Sequence, residues 1–255
     1  MKRIITGAVL ALLILIIVAP PVSAQGIFSM RRVASQVLNE GILLPEPHEA
    51  MVFFDDFLNY DAGGATDMGW ITTAVGTSPV DLWDEEFGVL RIITGATENN
   101  GDQLQWNAEC FKLDDEEVTF ETRIRSVEDV EIDIAVGLII TDTTVIDATE
   151  PSDGIYFQKL DGDSLIVGVI RKNTSAVNLD TLGVIVDNTW VGLKFTVGNR
   201  IVRYYVDGKL QATTTMADTL SLPEDEVLTP TIACETGAAA AESLYVDYLW
   251  ARQKR

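Results

Sequence analysis

Apolar and polar residues alternate along "VTFETRIRS", Val118–Ser126, with Val118, Phe120, Thr122 and Ile124 on one side and Thr119, Glu121, Arg123 and Arg125 on the other. A period of two suits an antiparallel strand with one dry face, and a helix cannot use it because its like-facing positions recur every 3.6 residues. The same alternation runs through "WVGLKFTVG", where Val191, Leu193, Phe195 and Val197 share a side. It also runs through "SLYVDYLWA", where it groups Leu244 and Val246 with Tyr248 and Trp250. Between Arg200 and Thr215 two such runs meet at Asp207-Gly208, a dipeptide that tolerates the positive φ angles of a tight hairpin turn. Further turn signals stand at "DAGG", "GDQ", "SDG" and "DGDS", while helix-length periodicity is scarce beyond residue 50. The expectation is an all-β fold, a two-sheet antiparallel sandwich of many short strands.

The start of the chain is of another kind. Lys2 and Arg3 precede an apolar run from Gly7 to Ala19, Pro20 and Pro21 end it, and the small residues Val22 and Ala24 frame a cleavage site before Gln25. Residues 1–24 therefore read as a secretory leader, the run being shorter than the roughly 20 residues a membrane-spanning helix needs. Residues 25–50 form an arm with a short helical stretch around Met30–Leu38, and residues 51–255 form the sandwich. The arm carries Ile27, Phe28, Val33, Val37, Leu38, Ile42, Leu43 and Leu44, so it should pack on its own sandwich or on a neighbour. The formal charge is −21, and loss of Lys2 and Arg3 with the leader would take it to −23, which excludes binding nucleic acid by phosphate neutralisation. An exported chain permits a disulfide between its two cysteines, Cys110 and Cys234, and two buried thiols satisfy the sequence equally well.

"FFDDF" (Phe53 to Phe57), "SDGIYFQKLDGDSLIVGVIRK", the hairpin "YYVDGKL" and the ending "LTPTIACETGAAAAESLYVDYLWARQKR", in that order, resemble the concanavalin A-like, laminin G-like jelly-roll sandwiches. The version they look most like occurs in virion structural proteins of tailed bacteriophages. That resemblance implies two stacked antiparallel sheets, a final strand lying beside an early one, and a role in attachment or particle architecture. It also implies that a structural calcium ion at loop ends would be in character.

In "VEIDIAVG", Glu131 and Asp133 occupy alternate positions, as in glucanases whose E-x-D is followed by a second Glu. Retaining hydrolysis needs a nucleophile and a separate acid/base about 5 Å away, and here the third place is held by Ala135 or Val136. Both acids then read as solvent-facing residues of a half-buried strand. The lone histidine, His48, lies in the arm, and no Gly-rich phosphate loop occurs, so the expectation is a protein that is not an enzyme. For a cation, Asp142, Asp153, Asp161 and Asp163 stand near turns and would suit calcium, although no EF-hand spacing is present and no other cofactor is implied. For glycans, Trp70, Trp83 and Trp106 are the candidate stacking residues, while Trp190 and Trp250 read as packing. The expectation is a structural or adhesive virion component. It would sit on the virion surface and join other virion proteins or further copies through residues 25–50. The alternative is a secreted, extracellular lectin-like domain that binds surface glycans, and a degenerate glucanase ranks third.

Overall fold

The computed structural model describes residues 49–255 except 59, 61–68, 77–78, 86–87, 115, 143–144, 147–149 and 217–221, so the leader and the arm lie outside the described residues. Sixteen strands make up the described part. In chain order they begin with β1 (Ala50–Asp55), β2 (Trp70–Val75), β3 (Val80–Trp83), β4 (Val89–Ile93), β5 (Gly101–Trp106), β6 (Phe111–Lys112), β7 (Val118–Ser126) and β8 (Ile132–Ile139). They continue with β9 (Gly154–Lys159), β10 (Leu165–Lys172), β11 (Ser175–Val184), β12 (Val191–Gly198), β13 (Ile201–Val206), β14 (Lys209–Thr215), β15 (Val227–Thr236) and β16 (Ser243–Lys254).

The first sheet has the order β14-β13-β12-β7-β16-β4-β3, with β1 also on β16, and the second has the order β11-β10-β9-β8-β15-β5-β2, with β6 on β15. The last strand, β16, thus lies beside the early strands β1, β4 and β7, each antiparallel to it. Between the sheets the alternation of β7, β8, β9, β12 and β13 delivers Phe120, Val136, Phe157, Phe195 and Tyr204 into one core, each no more than 1% exposed. Phe120 stacks on Phe195 at 5.1 Å, and Phe157 meets Tyr204 edge-on at 5.6 Å. Gly168 makes room for the Tyr204 ring, since a Cβ there would stand 2.8 Å from ring carbons. Each large apolar side chain so buried contributes about 1.5–3 kcal/mol.

The hairpin turn forms where the dipeptide indicated, with φ of 50° at Asp207 and 73° at Gly208. The period in "SLYVDYLWA" breaks. A bulge between Val246 and Tyr248 inserts one unpaired residue, so the core receives Leu244, Val246, Leu249 and Ala251, and Trp250 turns to the outer face. The expected grouping of Tyr248 and Trp250 with Leu244 is thereby corrected.

Candidate functional site

On the outer face of the second sheet the strand pairing sets small and neutral polar side chains side by side. The register sets Ala233 of β15 between Ala135 of β8 and Gln103 of β5, and sets Thr231 between Gly137 and Gln105. Next to β8, Gly137 faces Tyr156 and Ala135 faces Gln158 on β9. Because the inward positions of these strands hold the large residues of the core, the outward ones are free to be small, and a trough results along β5, β15, β8 and β9.

A segment following β8 crosses this trough. Val145 and Ile146 pack there on Ala135, Ile139, Tyr156, Val169 and Ala233 as a second apolar cluster. Gln103 and Gln105 hold one side of the crossing: Val145 N–H donates to Gln103 Oε1 at 2.8 Å, Asp142 N–H to Gln105 Oε1 at 2.9 Å, and Gln105 Nε2 to the Ile140 carbonyl at 3.1 Å. Arg171 holds the other, its Nε donating to the Pro151 carbonyl at 2.8 Å and its Nη1 pairing with Glu150. Burial, with the Glu150 charge second, pushes the Tyr156 hydroxyl well above its ordinary pKa. The crossing covers the middle of the trough, and Asp133 stands at its end.

At that end Asp133 is 6% exposed, and its Oδ1 accepts the Asp161 N–H at 2.8 Å. Burial lifts its carboxyl above the usual range, while the Asp161 N–H and the Lys159 charge pull it down. Lys159, 1% exposed, donates through Nζ to the carbonyls of Val130 and Ile132, each at 2.6 Å. Burial holds its pKa below the ordinary lysine value. Glu131 stands exposed just ahead of β8. The two acids of "VEIDIAVG" therefore differ: Glu131 is exposed and Asp133 is buried and hydrogen-bonded, which corrects the reading of both as solvent-facing. Ala135, fully buried under the crossing segment, follows them on the same face. Such an end can accept hydrogen bonds from hydroxyls through two carboxylates in unlike states of hydration.

The sequence candidates for a cation are not brought together. Asp153 and Asp161 lie beyond opposite ends of β9, and Asp153 and Asp163 brace turns: Asp153 Oδ1 accepts Asn173 N–H of the β10–β11 turn at 3.0 Å and Asp163 Oδ1 accepts Leu165 N–H at 2.7 Å. Asp142 belongs to the crossing segment. Among the described residues, the carboxylates that do converge are Glu128, Asp129 and Asp187, with ligand atoms within 4.8 Å of one another. Residues 128 and 187 are distant in sequence and meet only because the β7–β8 and β11–β12 connections share one end of the sandwich. Trp70 is 1% exposed and donates through Nε1 to Asp55 at 2.7 Å, so it is a core residue and its candidacy for glycan stacking is corrected. Trp106 packs edge-on against both Trp70 and Phe53.

Trp83, 37% exposed, lies on the outer face of the other sheet, with Arg91 over its ring at 4.4 Å and Tyr245 against it at 5.6 Å. Trp190, read as packing, instead faces the guanidinium groups of Arg123 and Arg125 at 4.9 and 4.7 Å. Both cysteines are free thiols. Cys110 N–H bonds to Leu228 on β15, six residues from Cys234 and so about 20 Å along the strand, which rules out the disulfide. Burial pushes the Cys110 thiol up to about 11 and holds the Cys234 thiol well above its ordinary value.

The glutamine pair on β5 and Arg171 escaped the sequence reading. The alternate glutamines of "DQLQW" were their only signal, and the segment they hold is remote in sequence.

Residues 98–241 match the family model described as the concanavalin A-like lectin/glucanases superfamily. Comparison with curated proteins finds no match. Among solved structures, a protein of unknown function from Shewanella oneidensis MR-1 is similar at 13% identity, with a TM-score of 0.61, covering 92% of this chain and 96% of that one. The carbohydrate recognition domain of Emp46p in its potassium-bound form is similar at 14% identity and a TM-score of 0.56, covering 77% and 94%. A non-specific endo-β-1,3(4)-glucanase of family GH16, SCLam, is similar at 14% identity and a TM-score of 0.58, covering 83% and 94%. The expectation that the chain is not an enzyme is corrected by this last likeness. An endo-glucanase shares the sandwich, so neither the fold nor a count of carboxylates on one strand excludes hydrolysis.

Proposed function

Because this chain belongs to the concanavalin A-like lectin/glucanases superfamily, we propose that it binds carbohydrate at the Asp133 end of the trough on its second sheet, as an adhesive module displayed on a particle or cell surface. The observation that carries this is the pair of acids at that end. The amides of Gln103 and Gln105 are taken up by the crossing segment, and beyond it stand the exposed Glu131 and the buried Asp133, two carboxylates at one end of the face. Carboxylates accept the hydrogen bonds that sugar hydroxyls donate. That carbohydrate recognition domains share the fold supports the reading. Display on a virion is the setting the strand motifs suggest, and capsid, portal or tail genes beside this one would support it over a secreted lectin.

The test is a glycan array followed by titration calorimetry with the best ligand, on the wild type and on Glu131→Gln/Asp133→Asn and Trp83→Ala variants. The expected outcome is binding that weakens about tenfold or more in the double variant, equivalent to about 1.4 kcal/mol, and stays unchanged in Trp83→Ala. No glycan binding by the wild type, or binding lost only in Trp83→Ala, would overturn the site. Reducing ends released by the wild type and not by the double variant would show that the same end also cleaves what it binds.

A further inference from the structure

The connections β4–β5, β7–β8, β9–β10, β11–β12 and β15–β16 gather at one end of the sandwich, joined by backbone hydrogen bonds such as Thr94 to Glu242 at 2.9 Å, Gly162 to Val130 at 3.0 Å and Asn188 to Ser126 at 2.8 Å. Residues 94–100, 127–131, 160–164, 185–190 and 237–242 hold eight Asp and Glu and neither Lys nor Arg. An apolar strip runs from this acidic pole along the outer face of β10 and β11. Leu165 and Val184 face one another, and Leu179 faces the buried Val169. Leu179 is 60% exposed, Val184 52% and Leu165 38%. The strip continues the second apolar cluster beyond the point where Val145 and Ile146 cover it.

We propose that this pole and strip receive the N-terminal arm of a second copy of the chain, Arg31 and Arg32 on the acidic loops and the apolar residues around them on the strip, in a head-to-tail assembly. The occupant is indicated by charge. In a chain of net charge −21, residues 25–38 contain two arginines and no acid, interleaved with Ile27, Phe28, Val33, Val37 and Leu38. The chemistry of the arm is thus the complement of the pole and the strip together.

Distance decides for a second copy over the same chain. β1 starts at Ala50 opposite Lys254, while the pole lies at the Ser243 end of the 12-residue strand β16, about 35–40 Å away. The 17 residues from Arg32 to Glu49 can stretch to roughly 55–60 Å, but their root-mean-square span is only about 23 Å. Closure on the same chain therefore demands a linker drawn out to about two thirds of its full reach, well beyond its root-mean-square span, and its effective concentration falls accordingly. An arm leaving one end and an acceptor at the other make the contact heterologous.

The test is sedimentation velocity of the full chain over a range of concentrations, with Arg31→Glu/Arg32→Glu in the arm and Leu179→Asp on the strip. The wild type should associate with rising concentration, and each variant should weaken association about tenfold or more while keeping the wild-type unfolding temperature. Mixed one to one, the two variants should form a dimer that does not grow, since one keeps the acceptor and the other keeps the arm. A wild type that stays monomeric, association indifferent to both variants, or a mixture that fails to pair would each overturn the proposal.

Discussion

Lys159 shows what a single buried charge does here. Its ammonium is surrounded by protein, donates to two carbonyls that end the β7–β8 connection, and has its pKa lowered chiefly by burial. Replacement by Met keeps the bulk and strands both carbonyls, so Lys159→Met should lose about 1–3 kcal/mol of stability at neutral pH. The pH dependence has a definite sign. Below the folded-state pKa both states hold the proton and the burial penalty stands in full. As pH rises through that value toward 10.5, the folded state releases its proton first and the penalty is relieved. The advantage of the wild type over Lys159→Met should therefore grow from about pH 7 to about pH 10, read by chemical denaturation at each pH. A gap that narrows over that range would show that burial does not dominate this lysine. None of this is visible in "YFQKLDG", where Lys159 looks like an ordinary surface residue before a turn.

Among the elements, β16 is where pattern and structure part. Its alternation, continued unbroken, would bury Tyr248 and Trp250, and the bulge after Val246 buries Leu249 and Ala251 instead. Leu249→Ala should then cost about 2–5 kcal/mol, as a fully buried large-to-small change does. Trp250→Ser, on the outer face, should cost less than about 1.5 kcal/mol. Thermal unfolding of the two variants checks the register, and the opposite ranking would place the bulge elsewhere. The strands β7 and β12 kept their period, pairing with each other without irregularity over seven residues, while the bulge opposite β7 lies in β16. The β13–β14 turn was legible because its conformational demand is local: two successive residues at positive φ, which Asp-Gly supplies.

For the whole molecule, both sheets and the core that joins them lie within residues 49–255. A chain starting at Glu49 should unfold in one cooperative transition within a few degrees of the full chain's, and should no longer self-associate if the arm joins copies. Scanning calorimetry and sedimentation of that truncated chain measure the two separately. The sequence by itself determined the all-β class, the two-sheet sandwich, most strand positions and the hairpin, because alternation and turn chemistry are decided between residues a few places apart. Only the tertiary structure decided which residues meet. It placed Gln103 and Gln105 under a segment some 40 residues on, joined Glu128 and Asp129 to Asp187, buried Trp70, separated Cys110 from Cys234, and gathered five acidic connections at one pole. The physical reason is that a side chain's neighbours across a sandwich come from strand order and register. These are set by how two whole sheets exclude water together, and no short window of sequence carries them.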